Sequence, residues 1–577
     1  MVVQAGTRRG GFLLAVMVLL VLLGGWLRLH DLGAKSLWAD ELFSVSVAHD
    51  HPFVPDNGQP VFERLRILDV TLGQSFLTAK GADQSPPLFE LLDKASIALL
   101  GLNEFSARFP SALAGCLLLA WLGWRWARAA DGTERAVFGW ALLLCALDPV
   151  LVQYAQEARV YSTGTLLAGM LCGWWFLRWH RGLASSPLPG WGEIAVFVLA
   201  CYGHNNLVLL SAILLASYGL EALRRGDWRA IARLAVVPLA FLPWVWLSWH
   251  TMFFTMDRGI AWVQFTWAQA WAEALRSTGI VFLRPWIWLV CAAALAAGLW
   301  RGGARWRGGP RFAPDAAGPL RAFPWLTALA MLLLILAYDA LVSAVVARTG
   351  VYHYRHIIFM VPAMAMLGGV LFSTWRRPWV HALLVLAVVA AAVQPIRATF
   401  AEPKTDVRGA YRFVLARVPP DAPVVGITPA DRRFYLDVLA PGAPHLFLPL
   451  SVYEPVAYGK ACERLRARGA AAVGLVTYQM RAGFIDDLYS LCSDAFERAD
   501  TFHGNGVVAE VWLRREPSGP PQSPEEGDAV ATSCDPPRFK ARTTGHVHDL
   551  PSAGCHHIAH HQRWTDSPGG HHTASSG

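Results

Sequence analysis

Residues 10–27, GGFLLAVMVLLVLLGGWL, carry no charge and are preceded by Arg8 and Arg9. A helix needs about 20 apolar residues to cross the hydrocarbon core of a bilayer, and this run is of that length. It lacks a small-residue cleavage site and further apolar runs follow it, so it reads as an uncleaved first span and not a signal peptide. The chain as a whole is 54% hydrophobic and 16% charged, with 26 Trp in 577 residues. That excludes a soluble multidomain protein and predicts a polytopic α-helical membrane protein.

The basic residues set the expected topology. They gather at Arg8-Arg9, 125–135, 178–181, 224–233, 301–321 and 376–377, between apolar runs. Spans are expected near 10–29, 106–128, 135–150, 162–179, 191–203, 206–223, 230–250, 278–300, 323–346, 356–375 and 378–396, about eleven transmembrane helices. With the N-terminus inside, every basic cluster falls on the cytosolic side. The net charge of +8 is then a topology signal, and no nucleic-acid partner is expected. The other face receives a long first loop, 30–105, and everything after Arg397.

Three regions follow: a transmembrane domain over 1–396, an extracytoplasmic α/β domain over 397–515, and a disordered His-rich tail over 516–577. The α/β domain is read from alternating helix and strand patterns, with strands expected at 424–427, 445–450 and 471–477. An extracytoplasmic setting permits a disulfide between Cys462 and Cys492, and the pairing stays open at this point. The tail is rich in Pro, Gly, Ser and Thr and has eight histidines; incidental metal affinity explains them better than a working site.

Polar groups collect where spans meet the outer face. Asp40-Glu41 lies just past the first span, where carboxylates gain nothing from the lipid. The bland reading makes Asp40 the N-cap of a short helix through residues 41–44. Asp148-Pro149 and the segment 153–161, with Tyr154, Arg159 and Tyr161, follow the third span. An aromatic belt accounts for the tyrosines; it does not account for Arg159. His204 occupies a short break between two spans, where it either satisfies backbone carbonyls or holds a phosphate. Tyr354 and Arg355 lie in a basic, aromatic cluster that runs against the positive-inside trend. Residues 86–100 are expected as an amphipathic helix lying along the interface.

An acidic pair with outward arginines at one leaflet fits a lipid-linked phosphate substrate, because guanidinium donors match phosphate oxygens. In sugar transfer from a polyprenyl phosphate the leaving group is a stabilised phosphate, so the protein must supply a base for the acceptor hydroxyl. Asp40 is the expected base, and Arg159 and Arg355 are expected to hold the departing phosphate.

These residues resemble the GT-C glycosyltransferases of the protein O-mannosyltransferase and aminoarabinose-transferase type. The resemblance spans most of the first 400 residues. It rests on Arg28-Leu29 leading to Leu37-Trp38-Ala39-Asp40-Glu41, on Ser85-Pro86-Pro87-Leu88-Phe89, and on Glu104-Phe105-Ser106-Ala107-Arg108-Phe109-Pro110-Ser111. Asp148-Pro149, the run Gln156-Glu157-Ala158-Arg159-Val160-Tyr161, and Tyr354-Arg355-His356 followed by Pro362 complete it. It implies a GT-C fold and an inverting transferase in the cell inner membrane, with a periplasmic active site and a polyprenyl-phosphate sugar donor. The acceptor is a glycan, lipid or protein. Asp40 would be the catalytic carboxylate with Glu41 supporting it, and Arg159, Tyr161, His204, Tyr354 and Arg355 would surround the donor phosphate. Asp148 looks like a second carboxylate that some members place near a divalent metal, so a metal shared with Asp40 stays open. Ser85 stands where the family usually has His, and His356 where it commonly has Tyr.

Two other classes share some of these features. A transporter or flippase of lipid-linked sugars also needs many helices and outward arginines, but it usually carries mid-membrane charges and paired repeats, and neither is visible here. A non-catalytic scaffold needs only the helix-cap reading of Asp40.

Overall fold

Each expected span within the described part of the chain is helical. The computed structural model describes residues 2–48, 76, 80, 85–181, 189–250, 324–347, 354–375, 377–426, 434–449, 455–479 and 482–516. The expected span 278–300, the Trp-rich 251–277 segment and the tail from 517 lie outside the described residues. The bundle comprises α1 (Val2–Leu29), α4 (Glu104–Ala127), α5 (Gly132–Leu147), α6 (Pro149–Ala155), α7 (Tyr161–Arg181), α8 (Trp191–Gly203), α9 (Asn205–Arg225), α10 (Trp228–His250), α11 (Pro324–Ala347), α12 (Val361–Ser373) and α13 (Pro378–Ala401). Two short helices precede α4: α2 (Ala39–Ala48) and α3 (Leu88–Leu100). Among the described residues, α1, α4, α9, α10 and α13 are each long and apolar enough to cross a membrane, and α5 with α6 makes a bent sixth.

The outward faces are apolar, as a lipid solvent requires. Phe12, Leu19 and Leu22 on α1, Trp246 on α10 and Leu386 on α13 are all exposed. Packing inside the bundle depends on small residues. A Cβ on Gly369 of α12 would stand 2.7 Å from Val137 Cα and 2.8 Å from its carbonyl oxygen, so glycine is what lets α12 lie against the α5 backbone.

The α5–α6 bend has a local cause. Pro149 lacks the N–H that would continue α5, while Asp148 Oδ1 accepts from Leu151 N at 2.8 Å and caps α6; the two axes differ by 62°. The bend turns the chain across the end of the bundle, where the polar segment 153–161 begins.

The basic clusters meet at the opposite end of the bundle. Arg178 pairs with Glu193 at 2.6 Å and Arg181 with Glu134 at 2.6 Å, joining the ends of α5, α7 and α8. Helix α3 has the amphipathic character expected of 86–100, with its leucines outward. Leu91, Leu92, Leu99 and Leu100 are exposed, and Glu90 and Asp93 are buried. That polarity suits a helix with lipid on one side and a polar site on the other.

After α13 the chain forms α14 (Val407–Leu415), β1 (Val424–Gly426), α15 (Phe434–Leu439), β2 (Phe447–Pro449), α16 (Pro455–Arg468), β3 (Ala472–Tyr478), α17 (Gly483–Cys492), β4 (Phe496–Gly504) and β5 (Val507–Arg514). The sheet order is β2-β1-β3-β5-β4, parallel through β2-β1-β3 and antiparallel at β5 and β4. Cys462 and Cys492 form a disulfide that joins α16 to α17, with their Cα atoms 5.6 Å apart. The α/β region is fastened to the segment 31–41 and to the start of α4: Leu37 N donates to Tyr435 Oη at 2.7 Å, Lys35 Nζ donates to the Glu402 carbonyl at 2.7 Å, and Arg408 pairs with Glu104 at 2.6 Å.

Candidate active site

Arg108 organises the entrance to α2. It is 1% exposed, and all five of its N–H groups are used. Nε and Nη2 hold Glu41 in a fork at 2.7 and 2.8 Å, and the other contacts go to the carbonyls of Leu32, Lys35 and Ser36. This pins the strap between α1 and α2 and sets where α2 begins.

The first helical residue of α2 is Ala39, with Asp40 in its first turn. Glu41, not Asp40, does the capping: its Oε2 accepts from Trp38 N at 3.2 Å. The helix-cap reading of Asp40 is therefore corrected. Glu41 also accepts from Ala158 N at 2.8 Å and faces Lys404 Nζ at 3.3 Å. Burial pushes its carboxyl up, but the charges of Arg108 and Lys404, with hydrogen bonds from Arg108 and Ala158, outweigh that and hold it at about 2.

Asp40 points the other way and is one-third exposed. Its Oδ2 lies 3.0 Å from Arg355 Nη1. Arg355 stands in a 3-10 turn, Tyr354–His356, directly before α12, and the carbonyl of His356 is held by Asn206 Nδ2 at 3.1 Å and Tyr338 Oη at 3.0 Å. Arg159 reaches the same corner from the α6–α7 turn. Its Nη1 donates to the Asp40 carbonyl at 3.1 Å and to Ser44 Oγ at 2.9 Å. Two arginines from distant parts of the chain thus converge on Asp40.

Tyr161 and His204 complete this corner. The Tyr161 ring is 5.9 Å from the Arg159 guanidinium, 4.8 Å from Tyr154 and 6.1 Å from His204. His204 lies in the break between α8 and α9, and its Nδ1 accepts from Asn206 N at 3.0 Å as the N-cap of α9. Burial, with the charges of Arg159, Arg355 and Lys80 nearby, lowers its pKa to about 3. It is a neutral imidazole with its proton on Nε2, so it offers a phosphate a hydrogen bond and no positive charge. Tyr354 begins the same turn as Arg355; its side chain is outside the described part.

Asp148 is engaged as the α6 cap, and Asp40 faces Arg355. Among the described residues, the His, Cys, Asp and Glu atoms that converge within 4.8 Å are those of Asp131, Glu134 and His180. That group lies at the basic end of the bundle, where Arg181 and His180 already pair with its carboxylates.

Several residues of the site are ones the sequence reading did not single out. Arg108 and Lys404 fix Glu41. Lys80, fully buried, pairs with Glu90 at 2.9 Å and donates to Ser85 Oγ at 2.7 Å. Asp93, one turn beyond Glu90, is fully buried, and neither of its carboxyl oxygens has a hydrogen-bond partner. An arginine on the positive-poor face was the available signal for Arg108; the others needed the fold.

Solved structures with this architecture exist. ArnT from Cupriavidus metallidurans in the apo state aligns with a TM-score of 0.51 at 14% identity, covering 87% of this chain and 98% of that one. The chain shares the ArnT fold. ArnT from the same organism bound to undecaprenyl phosphate aligns with a TM-score of 0.50 at 15% identity, with the same coverage. The architecture expected from sequence, a polytopic helical membrane bundle followed by a small α/β region, is the architecture found. No protein-family model matches the sequence, and no curated protein does.

Proposed function

We propose that this protein is a glycosyltransferase that moves a sugar from a polyprenyl-phosphate donor to an acceptor hydroxyl, with inversion at the anomeric carbon. The observation that carries the reading is the convergence of Arg159 and Arg355 on Asp40, whose carboxylate lies 3.0 Å from Arg355. Two guanidinium groups beside one partly exposed carboxylate provide a phosphate site and a base in adjoining positions. The fold likeness to ArnT, one of whose structures holds undecaprenyl phosphate, supports a polyprenyl chain as the lipid.

When the donor phosphate engages Arg355, the ion pair with Asp40 is given up and the carboxylate is released to act. Asp40 removes the proton of the acceptor hydroxyl as its oxygen attacks the anomeric carbon from the side opposite the phosphate. The bond from that carbon to the phosphate oxygen breaks, and its electron pair stays with the phosphate. Arg159 and Arg355 neutralise the charge that develops there. One displacement inverts the centre. His204 Nε2–H and Tyr161 border the same corner and help fix the phosphate. Glu41, buried and held by Arg108, Lys404 and the Trp38 and Ala158 amides, orients α2 and does no proton work.

The site faces the periplasmic side of the inner membrane in this reading, because the basic clusters gather at the opposite end of the bundle. A divalent ion held by Asp148 with Asp40 has less support, since Asp148 caps α6 and Asp40 is on Arg355.

The test is transfer of radiolabelled sugar from a panel of polyprenyl-phosphate donors to envelope acceptors, with wild type and Asp40→Asn. Loss of the base should cost about 10²- to 10⁴-fold in rate. Undiminished transfer by a folded Asp40→Asn protein would overturn the assignment, and no transfer by wild type from any donor would return the transporter reading.

A further inference from the structure

Lys404, which contacts Glu41, lines a cavity of about 260 Å³. Its walls come from the end of α1, the strap before α2, the end of α6, the α13–α14 link and the turn between β4 and β5. Lys35 and Lys404 line it, but both ammonium groups are occupied: Lys35 by the Thr399 and Glu402 carbonyls, Lys404 by Glu41 and the Gln156 carbonyl.

Three other lining groups are Glu157, Gln153 and Trp38. Glu157 is 5% exposed, and among the described residues no hydrogen bond reaches its carboxyl. Burial pushes its pKa to about 7, against the attraction of Lys404, so the group is both donor and acceptor near neutral pH. Gln153 also lines the cavity with its carboxamide. Trp38 contributes an indole whose Nε1–H has no acceptor.

The character of the walls selects the ligand. The lining holds Asp31, Glu157 and Glu402 together with Lys35, Arg108 and Lys404, so no single charge is favoured. Glu157, Gln153 and Trp38 bring a carboxyl, a carboxamide and an indole. Mixed donor and acceptor groups satisfy neighbouring hydroxyls, and an indole offers a flat apolar surface to the C–H face of a ring. The volume lies just below the range of ordinary ligand pockets, about 300–1,000 Å³, which suits one ring and not a lipid.

We propose that this cavity binds a neutral, hydroxyl-rich sugar residue of the acceptor, which makes the acceptor a glycan. Glu157 and Gln153 take its hydroxyls, and Trp38 takes its ring face. The inference rests on the transferase reading and names the acceptor class for it. Asp40 is not among the lining residues, so the bound ring is a neighbour of the residue that carries the reacting hydroxyl. Lys404 links the two places, since it lines the cavity and contacts Glu41.

The experiment is saturation-transfer NMR on the full chain in detergent micelles, with methyl glucoside, methyl galactoside, methyl mannoside and N-acetylglucosamine as probes and glycerol as control. Wild type and Asp40→Asn should both show transfer to at least one sugar and none to glycerol. Gln153→Ala and Glu157→Leu should abolish it, with folding checked by gel filtration. Gln153 is partly exposed, so its variant keeps the test sound if Glu157→Leu does not fold. In the transfer assay, Gln153→Ala should raise the acceptor KM about tenfold, as expected for a lost hydrogen bond, and leave donor binding unchanged. Sugar binding without glycosyl transfer would sink the transferase reading and leave the sugar site standing. Transfer without sugar binding, or sugar binding indifferent to both variants, would overturn the inference.

Discussion

Asp40 and Glu41 are neighbours in the chain whose carboxylates face opposite environments: Asp40 is one-third exposed against Arg355, and Glu41 is fully buried in the fork of Arg108. Successive helical residues are turned by about 100°, which divides the pair into one working and one structural carboxylate. Removing the charge of Glu41 leaves Arg108 buried without its counter-ion, which costs about 3 to 5 kcal/mol. Glu41→Gln should therefore lower the thermal midpoint in detergent sharply, while Asp40→Asn should leave it near wild type. Equal midpoints for the two variants would contradict the division.

Arg159 and Arg355 differ in what else they hold. Arg159 fastens the start of α2 through the Asp40 carbonyl and Ser44, and Arg355 contacts the Asp40 carboxylate itself. Lysine keeps the charge and loses the planar fork. Arg355→Lys should weaken binding of undecaprenyl phosphate about tenfold or more, as loss of a bidentate phosphate contact implies. Arg159→Lys should do the same and lower kcat as well, because Asp40 loses its support. Titration of each variant with undecaprenyl phosphate, beside steady-state transfer, separates the two effects. Unchanged affinity in both would remove the phosphate role.

Two groups should make the fold sensitive to acid, in different windows. Glu41 has its pKa lowered from 4.5 to about 2 in the fold, so its contribution is complete above 4.5 and is lost as pH falls toward 2. By linkage that contribution is about 3 kcal/mol. His204 is held neutral, with its pKa lowered from 6.5 to about 3, so protonation of the unfolded chain withdraws stability as pH falls from 6.5 toward 3. Glu157 and Asp93, whose pKa values are raised, gain stability as pH falls through the same window. The His204 contribution is therefore read as the difference in unfolding midpoint between wild type and His204→Gln, which should change as pH falls from 6.5 toward 3. An unaltered profile in that variant would show that His204 is not held neutral.

The spans were legible because a bilayer sets their length and composition together, and Asp40, Arg159 and Arg355 because charge at the membrane edge asks for a reason. What escaped were partnerships across long separations. Glu41 meets Arg108 at 67 residues and Lys404 at 363, and no local pattern marks either pair. The β4–β5 hairpin escaped for another reason. β4 reads FERADTFHG and is exposed along most of its length, so it lacks an apolar alternation, although Asn505-Gly506 with a Gly506 φ of +67° is a strong turn signal. The polar floor of α3 was hidden because an amphipathic helix beside lipid turns its leucines outward, so its apolar pattern marks the face away from the site.

Asp93 gives that floor a measurable property. It is fully buried on α3 beside the Lys80–Glu90 pair, and neither of its oxygens has a hydrogen-bond partner. Burial raises its pKa well above 3.8, and the nearby charges of Glu90 and Glu41 raise it further. An acid whose pKa is raised in the fold imposes a penalty that is absent below its unfolded value and grows as pH rises through the window between the two. Asp93→Asn is close in shape and cannot ionise, so it lacks this penalty. The variant should match wild type near pH 4 and become the more stable protein toward pH 8, as read by unfolding midpoints in detergent. Destabilisation of Asp93→Asn at every pH would instead mean that the carboxylate form is held by a partner in the folded protein.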